Sequence, residues 1–207
     1  MQSILLQGLL DSLSRRKSSN TVFNQYQDKN ILNNLRLYLE YLIKNNSKIL
    51  LIGEAPGYRG CRLTGIPLTS GKVIINFQRK IKIFKEIGNE IKLHQIVSEN
   101  TATIFWNFLA SYNKPVPILW NAFPFHPHKK EMPESNRKPN RSEIEEGKEY
   151  LKIIYDLFKP EKLCSLGCVG ERVLNELFPY KNIIYIRHPS YGGKEKFING
   201  ILKLYDS

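Results

Sequence analysis

Four short apolar runs, each followed by a turn or by polar residues and set apart by longer segments, constrain the fold of this chain more than any other feature. They are Lys48-Ile-Leu-Leu-Ile52, Pro117-Ile-Leu-Trp-Asn121, Leu163-Cys-Ser-Leu166 and Ile183-Ile-Tyr-Ile186. Runs of this length with no polar alternation read as buried strands, whereas residues 142–158, 169–178 and 194–205 carry apolar side chains at helical intervals. Strands that alternate with helices predict an α/β fold: a three-layer α/β/α sandwich around a central, mostly parallel four-stranded sheet. Upstream, Ile4, Leu5, Leu9 and Leu13, and then Leu32, Leu35, Leu39 and Leu42 between Asn24 and Asn45, recur at helical spacing. The expectation is one domain over residues 1–207, with a helical part at 1–45 and the α/β core at 46–207, a length that suits a single core.

Charge narrows the partner. Thirty-one Lys and Arg face nineteen Asp and Glu, a net charge of +12, which favours a polyanion and makes nucleic acid the first candidate. An AT-rich genome produces a similar Lys, Asn and Ile bias, so the motifs must decide. No apolar run approaches the roughly 18–20 residues that span a membrane, and the first twenty residues reverse the charge order of a secretory signal. Three cysteines, Cys61, Cys164 and Cys168, suit a reducing, intracellular setting better than a disulfide framework. With His94, His126, His128 and His188 they form no familiar zinc spacing, so no metal is expected.

In a parallel sheet, ligands collect beyond the carboxyl ends of the strands, and this sequence puts its least ordinary residues there. Gly53-Glu-Ala-Pro-Gly57 follows the first strand, Asn121-Ala-Phe-Pro-Phe-His126 the second, Gly167 the third and His188-Pro-Ser190 the fourth. GxGxxG is not matched, and Gly65 to Val73 misses the phosphate-binding loop in spacing and in its final residue, which argues against an NTPase. Residues 126–141 read as a long basic loop, either solvated surface or a contact for DNA phosphates.

The run GEAPGYRGCRLTGIPLTS (Gly53 to Ser70), the strand-end Asn121 and His188-Pro-Ser190, in that order, resemble the motifs of the uracil-DNA glycosylase superfamily over about residues 48–205. The first motif looks closest to the GE-x-PG motif of the thermostable, iron–sulfur-containing branch, and Leu166-Gly-Cys-Val-Gly170 resembles that branch's turn before a helix. The resemblance implies a monofunctional enzyme that hydrolyses the N-glycosidic bond of uracil in DNA, with other deaminated bases left open as substrates, and leaves an abasic site. Glu54 and His188 would be its catalytic residues. Glu54 would orient or deprotonate water and stabilise a cation-like sugar, and His188 would donate a hydrogen bond to uracil O2 as charge builds there. Asn121 would pair with O4 and N3–H, with Gly53, Ala55, Tyr58 and Leu68 completing the base pocket. Arg187, Ser190, Tyr191, Lys194 and Lys196 would bind DNA, with Tyr191 as the wedge that fills the gap left by the extruded nucleotide. Each has a plainer structural reading: Glu54 as a helix cap, Asn121 as a loop cap, His188 as a structural histidine, the lysines as solvated surface.

Three departures from the family pattern matter. Leu68 stands where that branch has an aromatic, so Tyr58 is the alternative stacking surface. Gly57 stands where the best-known uracil enzymes carry the tyrosine that excludes the thymine methyl. The cluster's four cysteine ligands are not available, so no cofactor is expected, and Cys61 reads as a small packing residue. The expected protein is an intracellular monomer; the competing readings are a DNA-binding or lesion-sensing homologue without turnover and a hydrolase of free nucleotides.

Overall fold

The computed structural model describes residues 1–190 and 192–206. In chain order the elements are α1 (Gln2–Arg15), β1 (Val22–Phe23), α2 (Lys29–Lys44), β2 (Ile49–Gly53), α3 (Cys61–Thr64), α4 (Gly71–Phe77), α5 (Lys82–Ile87) and α6 (Asn100–Tyr112). Then follow β3 (Ile118–Asn121), β4 (His126–Pro127), α7 (Arg141–Phe158), β5 (Lys162–Leu166), α8 (Cys168–Leu177), β6 (Ile183–Ile186) and α9 (Lys194–Asp206).

The four apolar runs form one parallel sheet in the order β3-β2-β5-β6, covered by helices as a three-layer α/β/α fold. Leu50, Leu51 and Ile52 are fully buried. Consecutive residues of a strand point to opposite faces, so a strand buried throughout needs cover on both. Strand β2 is thus interior, with β3 and β6 at the two edges of the sheet. A separate antiparallel pair, β1 with β4, ties the N-terminal part to the loop after β3.

Helix starts follow local chemistry. Asp28 caps α2 by accepting from the Asn30 and Ile31 N–H groups, and Asn140 with Glu143 forms a reciprocal capping box at α7. Helix α1 buries Leu6, Leu9, Leu10 and Leu13, while Ile4 is 78% exposed. The expected stripe that included Ile4 is therefore rotated: positions 6, 9, 10 and 13 follow the i, i+3, i+4, i+7 rule more closely. The stretch expected to be helical from Asn24 opens with a short 3-10 turn, and the α-helix proper starts after Asp28. Helix α6 is rich in aromatic and β-branched residues, yet burial of Ala102, Phe105, Trp106 and Leu109 on one face overrides that propensity. Among the described residues no helix is long and apolar enough to cross a membrane.

Candidate active site

The carboxyl ends of the sheet open onto a cavity of about 580 Å³ whose lining includes Glu54, Asn121 and His188. Three segments far apart in sequence meet there. Gly53 and Asn121 are register partners on β2 and β3, and the Asn121 side chain crosses toward β2. A Cβ on Gly53 would lie 2.9 Å from Asn121 Oδ1, so only glycine leaves the amide its position. Asn121 is 3% exposed. Its Nδ2 lies 4.0 Å from Cys61 Sγ and Oδ1 accepts from no described residue, which leaves the carbonyl end of the amide available to a ligand. Cys61 itself is buried and its thiol is pushed up to about 12 by burial; it packs as an unreactive thiol.

His188 sits in the turn after β6, where the chain bends back over β5. Gly167, at φ +85°, would place a Cβ 3.9 Å from His188 Cβ. The Ser190 N–H donates to His188 Nδ1 at 3.2 Å, and Ser190 Oγ lies 2.7 Å from the same nitrogen. An Nδ1 that accepts from a backbone amide puts the ring proton of the neutral imidazole on Nε2. Burial lowers the pKa of His188, with Glu99 pulling it back and Arg187 adding to the depression. The ring is thus a neutral Nε2–H donor at pH 7.

Glu54 is half-buried, and burial raises its pKa while Lys138 opposes the rise. Its backbone C=O accepts from the Phe123 N–H at 3.1 Å, and the Ala122 N–H donates to the Gly53 C=O at 2.9 Å. These bonds continue the β2–β3 ladder past the strand ends and hold the first-motif loop against the loop after β3.

Leu68 lines the cavity and adopts φ +51°, a region that non-glycine residues enter rarely. The Trp106 indole N–H holds it there by donating to the Leu68 C=O at 3.0 Å. Gly53, Ala55 and Gly57 also line the cavity. Tyr58 does not, and its backbone N–H donates to Asn136 Oδ1 at 3.0 Å. Arg187 and Ser190 line the mouth, Lys194 and Lys196 are exposed on the first turn of α9, and Tyr191 lies outside the described residues.

The loop at 126–141 forms a wall of the cavity through Asn136, Arg137 and Lys138. Its anchors are specific. The buried His126 ring lies between the carbonyls of Pro56 (2.7 Å) and Pro133 (3.0 Å), with one ring nitrogen facing each. Arg137 pairs with both oxygens of buried Glu143 and also donates to the Thr21 and His128 carbonyls. Sequence reasoning missed Lys138, Glu99 and Tyr185 as lining residues. A capping pattern, an acid followed by Thr101 and Ala102 at the start of α6, was the available signal for Glu99, whose carboxylate accepts from both of those N–H groups. Among the described residues no group of three or more His, Cys, Asp or Glu side chains could hold a metal ion.

The protein is thus an α/β protein with an acid, an amide and an imidazole around one cavity at the carboxyl edge of its parallel sheet, the place where such sheets collect ligands. A profile described as the uracil DNA glycosylase superfamily matches residues 40–200. The chain belongs to that superfamily. The crystal structure of wild-type SMUG2 from Pedobacter heparinus is similar, with a TM-score of 0.68 and 16% sequence identity over 98% of this chain and 99% of that one. At that identity the likeness is one of fold. Comparison with curated protein sequences returned no match.

Proposed function

We propose that the protein is a DNA glycosylase that hydrolyses the N-glycosidic bond of uracil in DNA, leaving an abasic site and an uncut strand. The observation that carries this reading is that Glu54, Asn121 and His188 share one cavity. In the proposed complex an extruded uracil sits between them, with its O4 and N3–H against the Asn121 amide and its O2 facing His188 Nε2–H. The imidazole donates to O2 as the base departs as an anion, which requires a donor aimed at developing charge rather than a released proton. The Glu54 carboxylate directs water at the sugar C1′ and offsets the positive charge that builds on the ring.

Extruding a nucleotide costs a few kcal/mol. Leu68 offers an apolar surface to the base, and Arg187, Ser190, Lys194 and Lys196, with a net charge of +12, offer contacts for the phosphates that flank it. Gly57 adds no side chain that would exclude a thymine methyl, so discrimination against thymine rests on the rest of the pocket. The reading describes an intracellular monomer acting on DNA without a cofactor.

The test is incubation of the purified protein with oligonucleotides containing a single uracil, followed by alkali. Strand cleavage at the uracil position after alkali, and none before it, is the expected result. A strand that stays intact after alkali while still binding the protein would identify a homologue without turnover.

A further inference from the structure

Apart from the imidazole of His188, Tyr185 carries the only aromatic ring among the described residues that line the cavity. It lies on the edge strand β6 and is 40% exposed. Its hydroxyl is 3.9 Å from Cys168 Sγ at the first residue of α8. Tyr185 and Arg187 are two residues apart in extended chain and both line the cavity, while the intervening Ile186 is fully buried, against Gly200 of α9. The rim therefore presents an aromatic ring followed by a cation, the pairing with which proteins hold unpaired nucleotides.

Position separates this ring from the base pocket. Tyr185 is the register partner of Ser165, Ser165 of Ile52, and Ile52 of Trp120, the residue before Asn121. Three strand spacings, about 14 Å, thus lie between the strand that carries Tyr185 and the strand that carries Asn121. That exceeds the width of one pyrimidine. His188 escapes the same separation because the chain after β6 bends back over Gly167.

We propose that Tyr185 is a stacking subsite for an unpaired nucleotide next to the extruded one, with Arg187 at its phosphate. This rests on the reading of the cavity as a site for an extruded base. In a duplex the neighbouring base stays paired and stacked within the helix, and the subsite goes unused.

The experiment uses full-length Glu54→Gln protein, which is expected to hold substrate without turnover, and uracil-containing oligonucleotides in single-stranded and duplex form. Adding Tyr185→Ala should raise Kd for the single strand on the order of tenfold, as loss of one stacked base does. It should change duplex affinity less than about twofold, and Tyr185→Phe should restore single-strand binding, since the ring and not the hydroxyl stacks. A 2-aminopurine placed on the 5′ or the 3′ side of the uracil should be quenched on binding at one of the two positions, and less so with Tyr185→Ala. Equal losses on both DNA forms, unchanged affinity, or no Tyr185-dependent quenching at either position would overturn the subsite while leaving the base pocket intact. If the Glu54→Gln parent binds neither DNA form, the DNA reading of the cavity fails and the subsite with it.

Discussion

Asn121 reaches the cavity from the buried β2–β3 pair, where register with Gly53 and burial hold its amide in place. His188 reaches the same cavity from a turn beyond the edge strand, where two contacts from exposed Ser190 to one ring nitrogen set its tautomer. The side that would read the base is thus fixed by packing. The side that would donate to the leaving base is fixed by local hydrogen bonds in a segment open to solvent. Packing gives a position that tolerates almost no change of volume, whereas a hydrogen-bonded turn sets a proton's location and leaves the fold indifferent to the ring.

This contrast can be broken by substitution. His188→Ala should lower single-turnover uracil excision by about 10²–10³-fold, as loss of one donor to developing charge does, with the thermal midpoint nearly unchanged. A large drop in thermal midpoint would show that the turn carries the fold after all. Gly53→Ala tests the buried side, because the added methyl meets Asn121 Oδ1 at 2.9 Å. Displacing the amide by a fraction of an ångström should reduce kcat/KM by about ten- to a hundredfold, read against the same assay. Ser190→Ala removes a hydroxyl contact to Nδ1 and keeps the amide donor, so a loss of only about two- to tenfold is expected. If that variant falls as far as His188→Ala, the hydroxyl and not the amide sets the tautomer.

The smallest effect concerns pH. Glu54 acts ionised, and burial raises its pKa from 4.5. Excision should therefore fall as pH drops through a value above the ordinary one, and Lys138→Ala, which removes the opposing positive charge, should move that acid limb further up. A limb that stays in place or moves down, in a pH profile of single-turnover rate, contradicts the assignment of that limb to Glu54.

The sheet was legible because its strands are short, mostly apolar runs without polar alternation, and the strand-end positions of Glu54, Asn121 and His188 follow from the parallel topology. Helices α4 to α6 were not, since α4 and α5 are brief and α6 has strand-like composition. Lys138 escaped for another reason. The loop at 126–141 is pulled into the cavity wall by His126 and by the Arg137–Glu143 pair, long-range bonds that leave no local pattern. Tyr58 was expected to supply the stacking surface because Leu68 replaces an aromatic, but the turn at Gly57 to Gly60 carries it away from the lining.

The most direct test of one shared site is Glu54→Gln, measured for single-turnover excision and for DNA binding on the same uracil-containing strand. Excision lower by about 10²–10⁴-fold with Kd within about threefold of the parent, a shift of under 1 kcal/mol, is the predicted result. Unchanged excision, or a loss of binding that matches the loss of excision, would contradict it.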